Sequence, residues 1–119
     1  MVKEYMDRPP FHMNIHVLPS QAEGFGHIHN EALACGCTVI STYHPPMNEF
    51  PAQYLVPITG THKQGHAQIA HLDTTELRRM ILQAWEHAPL YDPTARAAYL
   101  ARDYFFRQTF KELTCLTSA

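Results

Sequence analysis

A glycine-containing stretch, residues 23–31, lies between two short apolar runs and constrains the fold more than any other feature of the chain. The first run covers residues 13–18, and the second, residues 38–42, is rich in the β-branched residues that favour strands. The pattern predicts a strand, a glycine-containing loop, a short helix over about residues 26–35 and a second, parallel strand, which together form a βαβ unit. Gly36 is predicted to end the helix in the left-handed conformation.

The loop and the helix start have the properties of a site for a phosphorylated sugar. Gly24 and Gly26 let the backbone turn tightly and approach a ligand, and the start of the next helix favours an anion such as phosphate. Glu23 and Glu31 lie on either side of these glycines. Because carboxylates accept hydrogen bonds from hydroxyl groups, the pattern suggests a ligand with a sugar on one side of its phosphates and a ribose on the other.

The rest of the chain is predicted from local signals. The predicted elements are a short helix over residues 2–8, a one-turn helix from Pro46 to Phe50, a third strand at Tyr54–Val56, a surface loop over residues 57–71, a helix capped by Asp73 that ends near His87, and a helix over residues 94–114. Helical spacing predicts two buried faces. These faces are Leu77, Met80, Ile81, Ala84 and Trp85 on one helix and Ala98, Ala101, Phe105, Phe106, Phe110 and Leu113 on the other.

These elements predict an α/β fold. The expected architecture is a partial Rossmann-like domain of about three parallel strands with helices on both faces. It is predicted as a single unit over residues 1–119, with residues 94–119 as its C-terminal helical segment.

Composition excludes several function classes. A net charge of -2 argues against nucleic-acid binding by bulk electrostatics, and no apolar run approaches the length of a membrane span. Three cysteines are most simply reduced thiols, so a cytoplasmic location is expected, and Cys35 and Cys37 are predicted to be small buried residues. The histidines, including His27 and His29, show no familiar zinc spacing and are predicted to be surface or loop residues, with no metal site.

Residues 15–50 resemble the nucleotide-sugar-binding half of the retaining B-fold glycosyltransferases of family 4, also called group 1. The resemblance rests on an ordered series of motifs: Pro-Ser at 19–20, Glu-Gly-Phe-Gly at 23–26, Glu-Ala-Leu-Ala-Cys-Gly at 31–36 and Pro-Pro-Met-Asn-Glu at 45–49. It implies hexosyl transfer with retention from a UDP-, GDP- or ADP-sugar, without a bound metal.

The resemblance also implies a role for each motif residue. Glu23 would be the catalytic residue and would accept hydrogen bonds from hydroxyls of the donor hexose, while Glu31 would bind the ribose hydroxyls. Backbone N–H groups of residues 25–28 would hold the sugar and the diphosphate. The full set of implied donor-binding residues is Glu23, Gly24, Phe25, Gly26, His27, Ile28 and Glu31.

The chain departs from the family in ways that leave two functions open. Full enzymes of this type have two Rossmann-like domains, and the first strands of their donor domain carry an Arg and a Lys against the diphosphate, which the segment before residue 13 is not expected to supply. The chain is therefore expected to carry the donor-binding motif without being active alone. Its expected partners are an N-terminal glycosyltransferase half or a second copy paired through a sheet edge at residues 13–18 or 38–42. The alternative is a non-catalytic module that binds a nucleotide sugar or a partner protein.

Overall fold

The computed structural model describes residues 15–22 and 27–117. The predicted helix over residues 2–8, the start of the strand predicted over residues 13–18, and the predicted site residues Glu23, Gly24, Phe25 and Gly26 lie outside the described residues.

Three parallel strands form the central sheet of the predicted α/β fold. β1 (Ile15–Leu18) pairs with β2 (Thr38–Thr42), and β2 pairs with β3 (Tyr54–Val56). Every residue of β2 is buried, because a strand covered on both faces has no solvent side, and all of them except Ser41 are β-branched. The parallel pairing is confirmed. The unpaired edge predicted at residues 38–42 is wrong, since β2 is the central strand.

Helices cover both faces of the sheet, as predicted. α1 (His27–Ala34) connects β1 to β2, and α3 (Pro93–Thr117) packs against α1 on the same face. α2 (Thr74–His87) contacts all three strands from the opposite face. A short 3-10 helix, Met47–Glu49, follows Pro46 where a one-turn helix is predicted.

Neighbouring residues of β2 divide the core into two clusters. Val39 packs with Leu33 of α1 and Ala95 of α3, whereas Ile40 packs with Ala84 of α2. Because successive side chains of a strand point to opposite faces, this alternation gives the domain its three layers of helix, sheet and helix.

Residues 57–71, predicted as a surface loop, contain most of a β-hairpin instead. β4 (Ile58–Gln64) and β5 (Ala67–Leu72) pair antiparallel in a second sheet. The turn between them is Gly65-His66, and the φ of +63° at Gly65 is what a type II′ turn requires at its first position. The prediction failed because most of the hairpin is exposed, so its strands lack the apolar alternation of a half-buried strand.

The N-terminal cap predicted for α2 is present. The carboxylate of Asp73 accepts hydrogen bonds from the backbone N–H groups of Thr75 and Glu76, both at 3.1 Å. The backbone N–H of Asp73 donates to the carbonyl of Pro57 at 2.9 Å and so closes the base of the hairpin.

The buried face of α2 is predicted correctly except at its end. Leu77, Met80, Ile81 and Ala84 pack on the sheet, but Trp85 is 80% exposed. Ala84 faces the strands directly, and each helical residue is turned by about 100° from the one before it, which carries the indole of Trp85 away from them.

The packed face predicted for α3 is wrong beyond its first turns. Ala95 is buried and Tyr99 is partly buried, while the predicted core residues nearer the C-terminus, Ala101, Phe105, Phe106, Phe110 and Leu113, are exposed. The physical reason is length, since α3 has 25 residues and α1, on which it packs, has 8. None of the described helices is both long and apolar enough to cross a membrane.

A cluster of hydrogen bonds, here called the Gln53–Asp92 junction, ties the start of α3 to the end of α1. The backbone N–H of Asp92 donates to the carbonyl of Gly36 at 2.7 Å, and the side-chain amide of Gln53 donates to the Asp92 carboxylate at 3.0 Å. The same amide donates to the carbonyl of Cys37, and its oxygen accepts from the N–H of Val39. Gln53 thereby links the helix start to the entry of β2.

Asp92 also caps α3. Its carboxylate accepts hydrogen bonds from the backbone N–H groups of Thr94 and Ala95, and Pro93 occupies the first helical position, where proline is favoured. The hydrogen bond from Gln53, followed by those from the helix start, lowers the pKa of Asp92 against the opposing effect of its partial burial.

The cysteines are predicted only in part. Cys37 is buried, as expected, and burial followed by the nearby Cys35 thiol raises its pKa. Cys35 is exposed, contrary to the prediction, because it lies in the turn after α1. Both cysteines and Cys115 are free thiols.

We expect Gly36→Ala to destabilise the domain by about 1–2 kcal/mol, the cost of placing a Cβ in the left-handed region. Gly36 has a φ of +72°, and a Cβ there would also clash with the ring of Tyr91. Urea unfolding followed by circular dichroism measures the change. The matched control is Gly60→Ala, because a Cβ at Gly60 meets no atom within 4 Å. Equal stability of the two variants would contradict the strained turn.

We expect Asp92→Ala to lower the free energy of unfolding at neutral pH by about 0.5–2 kcal/mol, the usual effect of losing a helix cap. The folded-state pKa of Asp92 lies below its ordinary value of 3.8. The stabilisation by its charged form is therefore present above that value and is lost as pH falls through the lowered pKa.

Urea unfolding at neutral and acidic pH tests both parts of this expectation. Asp103→Ala is the control, because Asp103 forms an exposed ion pair with Arg107, a kind of pair worth about 0–1 kcal/mol. The stabilising role of the Gln53–Asp92 junction would be contradicted if Asp92→Ala lost no more free energy of unfolding than the control. A loss that acid leaves unchanged would contradict the pH dependence.

Candidate functional site

The described part of the predicted donor site lies at the start of α1. His27 and Ile28 occupy its first two positions and are exposed, and Glu31 lies one turn further on and is also exposed. The positive end of the α1 dipole lies at this helix start and favours an anion there.

His27 and His29 point in different directions, as residues two positions apart on a helix must. His27 is exposed, whereas His29 is fully buried. The prediction of a surface or loop histidine is therefore wrong for His29. Burial is tolerated because the Nε2 atom of His29 lies 3.0 Å from the hydroxyl oxygen of Ser41 and its ring stacks on Phe50.

A groove of about 860 Å³ separates α1 from α3 and is referred to below as the α1–α3 groove. On α1 it is lined by residues at helical spacing, His27, Asn30, Glu31 and Ala34. On α3 the lining residues are Tyr99, Ala101, Arg102, Asp103, Phe105 and Phe106. The structure therefore brings Glu31 and His27 together with side chains more than sixty positions later in the sequence.

Arg102 is held in the groove by a stack of side chains that begins at the buried His29 of α1. The guanidinium carbon of Arg102 lies 5.1 Å from the centroid of the Phe50 ring, and that ring stacks on His29 at a centroid distance of 4.8 Å. Phe50 is 7% exposed, so it is a fixed support for the cation. Such a cation–π contact is worth about 0.5–1 kcal/mol at an exposed site and restricts where the guanidinium lies.

The charges on this part of α3 are not equivalent. Asp103 pairs with Arg107 at 2.8 Å, which neutralises both side chains locally. Among the described residues, Arg102 has no carboxylate within ion-pair distance. Arg102 is thus a cation in the groove that is available to an anionic ligand.

The groove combines three kinds of recognition group. Glu31 is an acceptor for hydroxyl groups, Arg102 is a donor for phosphate oxygens, and Tyr99 and Phe106 offer aromatic surface. Nucleotides present these three features together, as hydroxyls, phosphates and a flat base.

The sequence motif predicts Glu31 but not the α3 side of the groove. Arg102 and Asp103 interrupt the apolar face predicted for α3, a signal that part of this face does not enter a core. That signal alone does not identify the opposite wall, because the distance to α1 depends on the Gln53–Asp92 junction.

The family described as glycosyl transferases group 1 matches residues 2–75. No curated protein and no solved structure matches the chain. The matched segment contains β1, α1, the central strand, β3 and the hairpin, and it ends just after the start of α2. Glu31 thus lies inside the matched segment, whereas Arg102 lies outside it.

Proposed function

Because this chain belongs to the group 1 glycosyl transferases, we propose that it binds the nucleotide sugar donor of a retaining hexosyl transfer in its α1–α3 groove. Glycosyl transfer is the chemistry of the family. The proposal rests above all on one observation, that Glu31 of the matched segment and Arg102 of α3 line the same groove at the start of a helix.

Glu31 is proposed to bind the ribose. It lines the groove, is exposed, and lies one turn from the start of α1. A carboxylate there accepts hydrogen bonds from two neighbouring hydroxyl groups, which a ribose offers and a phosphate does not. His27 and Ile28, at the helix start, would face the diphosphate with their backbone N–H groups.

Arg102 is proposed to contact the diphosphate. The resemblance implies basic side chains against this group. Arg102 supplies a charge from the opposite wall of the groove, supported by Phe50. Together with the dipole of α1, it would stabilise the negative charge on the leaving diphosphate without a metal ion. The bound nucleotide would be a UDP-, GDP- or ADP-sugar.

Glu23 is proposed to act on the sugar. It precedes His27 by four positions, with Gly24, Phe25 and Gly26 between them. Glu23 would accept hydrogen bonds from the hexose hydroxyls, while the backbone of the intervening residues holds the sugar and its phosphate. In the transfer, the bond from the anomeric carbon to the diphosphate oxygen breaks and its electron pair leaves with the diphosphate. An acceptor hydroxyl bonds through its oxygen to the same face of the sugar and gives its proton to the departing diphosphate.

The acceptor is proposed to bind on a separate glycosyltransferase domain that faces the groove. Family members use two Rossmann-like domains, and the described residues contain one parallel sheet of three strands. An N-terminal half of the family type is therefore the proposed partner.

We expect Glu31→Ala to weaken nucleoside diphosphate binding by about 1–3 kcal/mol, the range for removing one partner of a hydrogen bond. Calorimetric titration of the pure chain with UDP, GDP and ADP would measure this loss and identify the base. Glu86→Ala is the matched control, since Glu86 is an exposed carboxylate on α2, outside the groove.

Two results would contradict the proposal. One is the absence of binding by the unmodified chain to any of the three nucleotides. The other is an equal affinity of Glu31→Ala and Glu86→Ala for the nucleotide that binds.

A further inference from the structure

The β4–β5 hairpin carries a pair of histidines on one face. His62 of β4 is opposite Ile69, and His71 of β5 is opposite Gly60. Directly opposite residues share a face, as do residues two positions apart on one strand. His62 and His71 are therefore diagonal neighbours, and both are exposed.

The two imidazoles approach each other through their nitrogen atoms. The Nδ1 atom of His62 lies 2.6 Å from the Nε2 atom of His71, and the ring centroids are 4.7 Å apart, so the rings meet nearly end to end. With no ligand between them, one of these nitrogens must donate a hydrogen and the other must accept it. The accepting nitrogen therefore has a lone pair directed at the space between the two rings.

The spacing of the two nitrogens is close to that of a two-nitrogen metal chelate. Zinc–nitrogen bonds are about 2.0–2.1 Å long, so two imidazole nitrogens on one ion at about 90–110° lie roughly 2.9–3.4 Å apart. The nitrogens of His62 and His71, now 2.6 Å apart, must separate to reach that range, and both rings must turn so that their lone pairs converge on the ion. Both side chains are exposed, so the rings can turn about their side-chain bonds while the backbone stays in place.

The hairpin holds the pair in position before any ion binds. Antiparallel pairing runs from the base of the hairpin to Gln64 and Ala67 beside the turn. The hydroxyl of Thr59 donates to the carbonyl of His71, and the N–H of Ala70 donates to the carbonyl of Gln21. Little ordering is then needed on binding, which favours affinity.

We propose that His62 and His71 form a binding site for one divalent transition-metal ion, separate from the nucleotide groove. Neutral imidazole suits Cu²⁺, Ni²⁺ and Zn²⁺, and the expected order of affinity is Cu²⁺ above Ni²⁺, with Zn²⁺ below Cu²⁺. No group of three or more His, Cys, Asp or Glu side chains able to hold a metal occurs in residues 15–22 and 27–117. Water therefore completes the coordination, and the ion is open to a further ligand.

Calorimetric titration of the untagged full chain with each metal alone tests the proposal, at a slightly alkaline pH where imidazole is neutral. We expect one Cu²⁺ per chain. His62→Ala and His71→Ala should each weaken binding about tenfold or more, since even the outer-shell partners of metal ligands are worth about 10–100-fold. His66→Ala is the control, because His66 is an exposed histidine in the turn of the same hairpin.

Far-UV circular dichroism verifies that the variants fold, as expected for exposed side chains. Absence of copper binding would show that the pair is a hydrogen-bonded contact alone and would overturn the proposal. Copper binding that both alanine variants retain, or that His66→Ala weakens equally, would overturn it as well, since the ion would then be held elsewhere. None of these results bears on nucleotide binding, which requires no metal in the function proposed above.

Discussion

The rest of this structure depends on the hydrogen bond between the Gln53 side chain and the Asp92 carboxylate, which connects the entry of the central strand to the start of α3. Gln53 is bonded to both sides of the entry to β2, and Asp92 begins α3 and bonds to Gly36 at the end of α1. Arg96, one turn into α3, donates to the carbonyl of Ala34 and reinforces the same contact. These bonds set α3 beside α1, and the groove between the two helices follows from that position.

The βαβ unit could be predicted because its signals are local. Short apolar runs identified β1 and β2, and Gly36 identified the end of α1 by its need for a positive φ. The hairpin could not be predicted because its exposed strands carry polar residues on both faces. The exposure of Trp85, Phe106 and Phe110 could not be predicted either, since helical spacing shows that residues share a face but not whether another element covers that face.

The candidate site also has one side that the sequence predicts and one side that it does not. Its α1 side, with His27, Ile28 and Glu31, follows from an ordered motif in consecutive residues. Its α3 side, with Arg102 on Phe50 and Phe50 on buried His29, depends on three-dimensional contacts between segments far apart in sequence. Arg102 lies on a helix outside the family match, so no motif residue points to it.

The central claim is that one nucleotide contacts both walls of this groove. Amide chemical shifts of the ¹⁵N-labelled chain, recorded by NMR during titration with UDP, GDP and ADP, test it most directly. The account predicts saturable shifts with one of the three nucleotides, in residues 27–31 of α1 and in residues 99–106 of α3, with a common dissociation constant. Saturable shifts that leave residues 99–106 unchanged, or no saturable shift with any of the three, would contradict it.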